Sequence, residues 1–448
     1  MNNIKPHEGG KTMYNRIYCV PTHRKMDIKN LEDYFQEVEF ANEYNKEEMP
    51  FIIFEDNPEE INKEDVVNLN RKYKSVKTYY VTRTTINKLY DCLSEKMSLK
   101  NLEEFMKVYP GKNVNYGNTF NKIFLIGMFL HAEFIHRRDS DVLMDTNEIT
   151  GKKVFPIEVE MEYLAKEVEG KTQYIVGGGY KGKYNLDIDC LIKENEDYTL
   201  LRKLFDCMSI PKEHHDDIIN DEMLGNNEPF ISDKIDVNSG SYPDCGNIAY
   251  YKIFEWFPCP SADFVLGSDY FPLEIAIHSA LGVVYHNRAV IHKHTKERYS
   301  EYSKILNYWK GLLLLVDSQI YYRNLYVNYM SKSIFNQCSC DANISDFLDN
   351  LTESMTKFNQ TFIQDYKEIR TEKLTQFLSL LNETEDENLM NVSKDLEKAE
   401  DEIYNFTEEL IKNHIKLIDS WKLVKKGIFD IRDSYDVQNI IESSLIKK

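Results

Sequence analysis

The sequence predicts an α/β protein with an open, mostly parallel sheet flanked by helices, followed by an all-helical C-terminal domain. Two short apolar runs, residues 16–20 and 51–54, enclose a stretch of helical spacing at residues 28–44. A continuous apolar run between turn signals is typical of a parallel strand buried on both faces. From residue 297 to the end there is no proline and only two glycines, and apolar residues recur at helical spacing. Alternating strands and helices therefore indicate a doubly wound sheet, and the glycine-poor remainder indicates helices.

The later elements of the α/β part follow from the same two periodicities. Apolar residues recur every three or four positions in one stretch before the predicted fourth strand, as on the buried face of a helix. In chain order we predict a third strand at 76–81, a helix at 119–131, a fourth strand ending near Ile135, a strand at 173–176 that meets three glycines, helices at 191–230, and loops with short strands at 236–270.

These patterns divide the 448 residues into three parts. We predict a flexible N-terminus at residues 1–13, a catalytic α/β domain at 14–296 and a helical domain at 297–448, which agrees with usual domain sizes. Ligands of open α/β sheets bind beyond the carboxyl ends of the strands. The α/β domain is therefore expected to carry the functional site.

The formal net charge of −19 restricts the partners of the chain. Nucleic-acid phosphates and anionic lipids attract clustered Lys and Arg, so neither is an expected partner. An acidic protein binds a nucleotide diphosphate when a divalent cation neutralises the phosphates locally. The charge therefore favours a metal cofactor.

The predicted compartment is the cytoplasm. The eight cysteines form no CxxC pair, so we expect reduced thiols and no zinc site. Residues 1–11 are polar and lack the apolar segment of a secretory signal. The longest aliphatic run, residues 312–316, is too short for an integral membrane segment.

An Asp-x-Asp pair, Asp139 and Asp141, follows the predicted fourth strand. Two carboxylates on neighbouring sides of a turn can share one Mn²⁺ or Mg²⁺ and leave coordination positions for diphosphate oxygens. The metal then neutralises charge that develops on a leaving nucleotide diphosphate. The motif is short and common in acidic chains, and alone it is weak evidence for a metal site. Its position after two strand ends and an amide-bearing helix strengthens that interpretation.

The order of these elements resembles that of the GT-A glycosyltransferases over roughly residues 14–300. In that family a first strand with a threonine and a second ending in an acidic residue bind the nucleoside, and a helix precedes the metal-binding Asp-x-Asp. The resemblance implies that Asp139 and Asp141 hold metal and diphosphate, Thr22 and Asp56 contact base or ribose, and Asn121 lies near the nucleotide.

The approach to the pair departs from the family, because His136, Arg137 and Arg138 stand where apolar residues are usual. Guanidinium groups bind phosphate through two parallel hydrogen bonds, so Arg137 or Arg138 is a candidate phosphate or sugar clamp, with a surface position as the alternative. We count Arg138 among the predicted nucleotide-sugar ligands, together with Arg24 at the end of the first strand.

Asp269 is the predicted catalytic base. Many inverting GT-A enzymes place an acidic residue at the start of a helix after the Asp-x-Asp, where it takes a proton from the acceptor. Asp269 precedes an amphipathic run and fits that placement, although such a residue is also an ordinary helix cap. Asp263 and Glu274 are weaker candidates, and Trp256 and Tyr270 are candidates for stacking on a sugar.

A late histidine often completes the metal shell in GT-A enzymes. His292 and His294 lie two positions apart after an apolar stretch, so strand alternation places them on one side. Either can bind a metal through a neutral ring nitrogen. A second Asp-x-Asp, Asp187 and Asp189, competes with the first pair as the metal site.

The resulting hypothesis is a metal-dependent glycosyltransferase that uses a nucleotide-sugar donor, preferably a UDP-sugar. The acceptor is a peptide, a glycan or a small natural product, and the helical domain is expected to recognise it or to form a homo-oligomer. Two alternatives remain: a non-catalytic scaffold on a degenerate sheet domain, and a nucleotidyltransferase. The second fits poorly, because Asp269 directly follows Gly267 and Ser268 and no further carboxylate pair stands at the required spacing.

Overall fold

A computed structural model describes residues 14–97, 115–182, 191, 198–219, 234–239, 242–263, 265–279, 281–293, 301–327 and 341–447. Strands and helices alternate through the first half of this part of the chain. In order they are β1 (Arg16–Thr22), α1 (Ile28–Asn45), β2 (Phe51–Glu55), α2 (Lys63–Lys72), β3 (Thr78–Thr82), α3 (Arg83–Met97), α4 (Tyr116–Phe129), β4 (Phe134–Arg138), β5 (Val142–Met144), α5 (Pro156–Tyr163), β6 (Glu167–Val168) and β7 (Lys171–Gly182).

The second half begins with short elements and continues as helices. The elements up to residue 293 are α6 (Thr199–Cys207), α7 (His215–Asp217), β8 (Val237–Ser239), β9 (Asn247–Tyr251), α8 (Phe271–His278) and β10 (Gly282–His292). The helices that follow are α9 (Tyr302–Leu325), α10 (Asp341–Asp365), α11 (Lys367–Glu383), α12 (Glu387–Lys398), α13 (Glu400–Ile431) and α14 (Tyr435–Glu442). The prediction of a helical C-terminal region is confirmed.

Side-chain caps fix the starts of the two helices nearest the predicted site. The Asp27 carboxylate accepts a hydrogen bond of 2.9 Å from the Lys29 amide at the start of α1. The Asn115 side chain accepts one of 2.8 Å from the Asn118 amide at the start of α4. Each cap satisfies a backbone donor that has no partner within its helix, so the sequence itself sets where these helices begin.

The sheet is mixed rather than mostly parallel. Its strand order is β3-β2-β1-β4-β9-β7-β10-β5. The strands β3, β2, β1 and β4 pair in parallel, whereas β9 is antiparallel to both of its neighbours, β4 and β7. The prediction extended the N-terminal strand-helix-strand pattern to the whole sheet. It failed because β9, a short strand of the loop-rich region, inserts between β4 and β7 and runs antiparallel to both.

The chain changes direction in the sheet at the boundary between β1 and β4. It proceeds outward from β1 through β2 to β3 and then returns to the other side of β1 as β4. A crevice opens beyond the carboxyl ends of the strands at such a switch point, and ligands of open α/β sheets bind there. Thr22 and Arg138 end the two strands that border this crevice.

The C-terminal helices share a hydrophobic core with the sheet. Ile17 and Ile135 of the sheet belong to the same buried cluster as Trp421 of α13. The Trp421 indole N–H donates a hydrogen bond of 3.2 Å to the carbonyl of Phe254, which attaches α13 to the loop after β9. A second buried cluster joins α9, α11, α12 and α13 to α6. The boundary at residue 296 stays a prediction.

The C-terminal tail pairs with the outer strand of the sheet. The Tyr80 amide donates to the carbonyl of Ser444 at 2.8 Å, and the Ile446 amide donates to that of Thr78 at 2.9 Å. The tail thereby covers backbone groups of β3 that an unprotected edge strand would expose. Among the described helices, none combines the length and apolar character needed to cross a membrane.

Candidate active site

Asp139 lies at the carboxyl end of β4 and is held by three contacts. Its carboxylate oxygens accept hydrogen bonds of 2.6 Å from the Arg137 guanidinium and 2.6 Å from the Tyr180 hydroxyl. Its amide donates to the carbonyl of Gly246 at 3.1 Å. A carboxylate fixed on both oxygens and through its backbone is preorganised, which is what binding a ligand with defined geometry requires.

Asp141 lies on the other side of the turn, against a histidine and an arginine. It forms an ion pair with Arg24, and its Oδ2 atom is 3.3 Å from Nε2 of His292. The Lys293 amide donates to the Asp141 carbonyl at 2.9 Å, which ties the end of β10 to this turn. Asp141, Arg24 and His292 therefore lie together at this turn, and a metal ion shared by Asp139, Asp141 and His292 stays a prediction.

Residues of α1 and β7 hold the turn in place. The Tyr34 hydroxyl donates to the carbonyls of Asp139 and Val142, at 2.6 and 2.8 Å. The Tyr180 ring stacks on His292 with a centroid distance of 5.1 Å. One tyrosine therefore orients a carboxylate and an imidazole together.

The Asp141 and His292 side chains at this turn are spaced like two of the ligands of an octahedral divalent cation. Two cis ligands about 2.1 Å from such an ion are about 3 Å apart, close to the 3.3 Å between Asp141 Oδ2 and His292 Nε2. The side chains of Asp139 and Asp141 remain 25 % and 12 % exposed, so a ligand can reach both. Within the described residues no group of three or more His, Cys, Asp or Glu side chains is arranged as a metal site. A cation here would take its other ligands from substrate oxygens and water.

Arg137, rather than Arg138, faces the carboxylate pair. Arg138 is fully buried on the opposite face of β4, where its guanidinium contacts Glu37 and Glu160, each at 2.7 Å. Residues two apart on a strand share a face, so Arg137 projects to the same side as Asp139 and Arg138 to the other. The prediction that Arg138 contacts the nucleotide sugar therefore conflicts with its position, and Arg137 occupies the predicted place.

Asp56 and Thr22 lie at the ends of β2 and β1, as predicted, and both are engaged. The Asp56 carboxylate accepts a hydrogen bond of 2.8 Å from Arg83 and lies 3.5 Å from the Lys122 ammonium group. The Thr22 hydroxyl donates to the carbonyl of Arg24 at 2.8 Å and shapes the turn that carries this arginine. Thr22 thus acts on the site through Arg24.

The Asn121 side chain joins two segments of the chain, and its predicted place near the nucleotide stays a prediction. Its amide group donates to the carbonyl of Cys259 at 2.9 Å and accepts from the Cys259 amide at 2.7 Å. Both ends of the side chain are therefore used to join α4 to the segment before the predicted base. A buried amide that is hydrogen bonded at both ends holds the two segments in a fixed arrangement.

Asp269 is buried beside the carboxylate pair. Burial raises the pKa of Asp269 from its ordinary 3.8 to about 6; Arg137 opposes this shift, and Asp139 and Asp244 add to it. A carboxylate whose pKa lies near 6 is suited to general-base catalysis near neutral pH. Its place in the turn Ser268–Tyr270, directly before α8, agrees with the predicted helix start.

Asp244 and Tyr180 are site residues that the sequence analysis missed. Burial raises the pKa of Asp244 to about 6, against the hydrogen bond that it accepts from the Tyr270 hydroxyl. That bond is 3.0 Å long, and the Tyr180 amide donates to the other oxygen at 2.9 Å. Hydrogen bonds therefore link these residues in series, from Tyr270 through Asp244 and Tyr180 to Asp139. The signal in the sequence was the glycine run before Tyr180, which marks a closely packed strand.

Three predicted candidates, His294, Asp187 and Asp189, lie outside the described residues, so the competing pair stays a prediction. Asp263 accepts a hydrogen bond of 3.3 Å from the side-chain amide of Asn115, the residue that caps the start of α4. Cysteines free of disulfides are found in the described chain, and they are Cys19, Cys92, Cys207, Cys245 and Cys259.

Replacing Asp269 by asparagine is expected to stabilise the fold above pH 6. The pKa of Asp269 is about 6 in the folded protein, against an ordinary 3.8. The protonated side chain therefore contributes stability that is fully present below pH 4 and is lost as the pH rises through 6. The neutral amide avoids burying this charge, so the free energy of unfolding should increase by about 3 kcal/mol at pH 8. Below pH 4 the two proteins should be equal.

Urea titrations at pH 4 and pH 8 measure this difference. Asp419→Asn, a change at an exposed position on α13, is the matched control and should shift neither midpoint. An equal effect of Asp269→Asn at both pH values would mean that the Asp269 charge is not the cause.

Residues 16–426 match the model of DUF6271, which is described as a family of unknown function. No curated protein matches the chain. A solved structure described as "Crystal Structure of a Mycobacterial Protein" is 9 % identical and aligns over 70 % of this chain and 74 % of that one, with a TM-score of 0.36. That similarity is too weak to assign a fold family or an activity. Because the family model spans most of the sequence, the protein belongs to the DUF6271 family.

Proposed function

We propose that this protein is a metal-dependent glycosyltransferase of the GT-A type that transfers a sugar from a nucleotide diphosphate to an acceptor. The observation that carries the proposal is the preorganised pair Asp139 and Asp141, with His292 beside it, at the switch point of the sheet. A nucleotide bound in the crevice between β1 and β4 places its phosphates at this pair.

The cations around the crevice support a diphosphate ligand. The chain carries a net charge of −19, yet Arg24, Arg83, Lys122 and Arg137 all lie near the carboxyl ends of the parallel strands. Each contacts an aspartate of the site, which keeps the cation in place before a ligand arrives. Arginine is particularly suited to phosphate because its donors form a planar fork.

The residues that would hold a Mn²⁺ or Mg²⁺ ion are Asp139, Asp141 and His292. Such an ion supplies electrostatic stabilisation to the nucleotide diphosphate as it leaves. Arg24, paired with Asp141, would lie beside such an ion and could bind a phosphate oxygen. Tyr180 holds both Asp139 and His292 in position.

Asp269 is the proposed base. The acceptor oxygen attacks the anomeric carbon of the donor while the bond from that carbon to the diphosphate oxygen breaks, and its electron pair leaves with the diphosphate. Asp269 takes the proton of the acceptor hydroxyl, which its raised pKa permits near neutral pH. Attack opposite the leaving group inverts the configuration at that carbon. Asp244, the other carboxylate of raised pKa, is held by Tyr270 and Tyr180 and serves to position Tyr180.

Calorimetric titration of UDP-sugars in the presence of Mn²⁺ tests the proposal. The native protein should bind at least one donor, and an Asp139→Asn, Asp141→Asn double variant should bind it at least 100-fold more weakly, because it loses two charge-assisted contacts to the ion. The matched control changes two exposed aspartates of α13, Asp419→Asn and Asp430→Asn, and should bind like the native protein.

Other outcomes separate the alternatives. Failure of the native protein to bind any of a panel of UDP-, GDP- and dTDP-sugars would reject the glycosyltransferase and favour a non-catalytic scaffold. Binding that persists without added metal, in the presence of EDTA, and in the double variant would place the nucleotide elsewhere.

A further inference from the structure

The loop at residues 23–27, between β1 and α1, carries Arg24 to the candidate site. The Arg24 guanidinium forms its ion pair with Asp141, and at the end of the loop Nζ of Lys293 lies 3.0 Å from Oδ2 of Asp27. Residues 23–27 belong to no strand or helix. The place of Arg24 therefore depends on the side chains that hold this loop.

Asn62, directly before α2, holds the loop with both ends of its amide group. Its Oδ1 atom accepts a hydrogen bond of 2.7 Å from the Met26 amide, and its Nδ2 atom donates to the Arg24 carbonyl at 2.9 Å. The Asn62 side chain is fully buried, so water does not compete for these bonds. One side chain thus fixes the backbone on both sides of Lys25.

The position of Asn62 at the start of α2 makes these contacts informative. An asparagine at the N-cap position usually accepts a hydrogen bond from an amide of the first helical turn. Asn62 is the N-cap residue of α2, yet its side chain makes no such bond. It is bonded instead to residues 36 and 38 positions earlier in the chain. The amide therefore holds the loop and does not cap its own helix.

Glu55, the last residue of β2, fixes Asn62 in turn. Its Oε2 atom accepts hydrogen bonds from the Asn62 backbone amide at 3.1 Å and from Asn62 Nδ2 at 2.9 Å, and also from the Tyr80 hydroxyl. Glu55 is fully buried, and a buried carboxylate is tolerated where such donors satisfy it. Contacts therefore run in series from the sheet through Glu55 and Asn62 to Arg24.

We propose that Asn62 is a positioning residue, which with Glu55 behind it keeps the Arg24 guanidinium beside Asp141. This placement does not depend on any ligand. Its consequence for a nucleotide diphosphate, which Arg24 would bind through a phosphate oxygen, rests on the proposed glycosyltransferase function. Guanidinium groups bind phosphate in a defined orientation, so displacement of the loop would weaken that contact.

Labelling of arginines with phenylglyoxal, followed by mass spectrometry of the full-length protein, tests the placement without a ligand. The Arg24 side chain is 27 % exposed and should react slowly while the loop is held. Asn62→Ser keeps a favourable N-cap residue but is too short to reach the loop. Because the loss of one neutral hydrogen bond shifts an equilibrium roughly fivefold, Arg24 should be labelled at least about fivefold faster in the variant.

Two other arginines distinguish a local effect from a general loss of stability. Arg71, exposed on α2, should react at the same rate in both proteins. Arg138 is fully buried and becomes accessible when the protein unfolds. Faster labelling of Arg24 with unchanged labelling of Arg138 supports the proposal. An equal increase at Arg24 and Arg138 would overturn it, because Asn62 would then support the fold as a whole.

The matched control is Asn70→Ser, which changes a buried asparagine within α2. The Asn70 amide donates to the carbonyl of Ile446 at 3.4 Å, so it holds a different segment of the chain. The control should leave the labelling of Arg24 unchanged. The proposal is also overturned if Asn62→Ser labels Arg24 no faster than the native protein or the Asn70→Ser control does.

A double-mutant cycle on UDP binding in the presence of Mn²⁺ tests the consequence for the donor. Arg24→Met should weaken binding at least about tenfold in the native background, as expected for a charge-assisted hydrogen bond. In the Asn62→Ser background it should weaken binding by less than about twofold, because the guanidinium is already displaced. Equal effects in both backgrounds would show that Asn62 does not act through Arg24. Failure of the native protein to bind any nucleotide would reject the glycosyltransferase, and the labelling rates would still decide the placement of Arg24.

Discussion

Replacing Arg138 by methionine is expected to lower the free energy of unfolding by about 3–5 kcal/mol. This is a large share of the about 5–15 kcal/mol by which folded proteins are usually stable. The expected result is a strongly destabilised protein that unfolds in one transition at much lower denaturant concentration.

The reason lies in the ion network around Arg138. Its guanidinium contacts Glu37 at 2.7 Å and Glu160 at 2.7 Å, and all three side chains are fully buried. The other Glu37 oxygen accepts a bond of 2.6 Å from the Tyr18 hydroxyl, and the other Glu160 oxygen lies 2.7 Å from Nδ1 of His136. Removing the cation leaves two carboxylates in an apolar interior with no positive partner of comparable strength.

The dependence on pH gives the second readout. Burial alone would raise the pKa of Glu160, but Arg138 and His136 outweigh it and lower the value to about 2. Without Arg138 this pKa should rise above its ordinary value. The stability deficit of the variant should then be smallest at acidic pH, where the carboxylates are protonated, and grow as the pH rises.

Urea titrations of Arg138→Met at pH 4.5 and pH 8 measure both effects. Arg202→Met is the matched control, because Arg202 forms its ion pair with Asp216 at the surface and should contribute at most about 1 kcal/mol. Adding Glu37→Gln and Glu160→Gln to Arg138→Met should recover part of the stability at pH 8. An Arg138→Met protein as stable as the Arg202→Met control would show that the network does not carry this energy.

The two neighbouring arginines show what the sequence could predict and what it could not. Strand alternation places Arg137 and Arg138 on opposite faces of β4, so one of them had to face away from Asp139. Which one faces away from the pair depends on Glu37 in α1 and Glu160 in α5, and no local pattern joins these glutamates to β4. The sequence could predict that one of the two arginines lies beside the pair. Which arginine it is depends on tertiary contacts.

The strands were predictable where they are continuous apolar runs. The predicted first and second strands, at 16–20 and 51–54, lie within β1 and β2, and the helix between them also forms. The predicted strand at 173–176 meets three glycines, and in the structure β7 continues through them to Gly182. A side chain at Gly178 would lie 2.7 Å from the Arg288 carbonyl, so these residues permit close packing rather than a turn. Close approach between distant segments leaves no periodic signal.

The candidate site combines a predictable part with an unpredictable one. Asp139, Asp141, His292 and Asp269 were predicted from their order along the chain and do lie at the same end of the sheet. Tyr180, Asp244 and Gly246 were not, because their roles arise from β7 and from the loop before β9 meeting the turn after β4. A metal motif is local, but the groups that hold it in place come from elsewhere in the fold.

Replacing Gly246 by alanine is expected to disrupt the site while leaving the fold intact. A Cβ atom at this position would lie 1.8 Å from the Tyr180 hydroxyl and 2.3 Å from Oδ2 of Asp139. Either the carboxylate or the phenol has to move, and the ring of Tyr180 is held by its stacking on His292. A displacement of about 1 Å in a preorganised site can reduce activity on the order of 100-fold, and we expect a loss of that size in Mn²⁺-dependent donor binding.

The matched control is Gly127→Ala in α4, where the added methyl would come within 2.7 Å of Cδ1 of Ile135, the end of an aliphatic side chain. Both variants add one methyl group to a close-packed position, which usually costs about 1–3 kcal/mol. Urea titration should therefore show comparable, modest losses of stability, whereas calorimetry with a UDP-sugar and Mn²⁺ should show a binding loss in Gly246→Ala alone. If both variants bind the donor normally, the contact between Tyr180 and Asp139 is not needed for the proposed site. If both lose binding equally, the effect follows from stability and not from the geometry at Asp139.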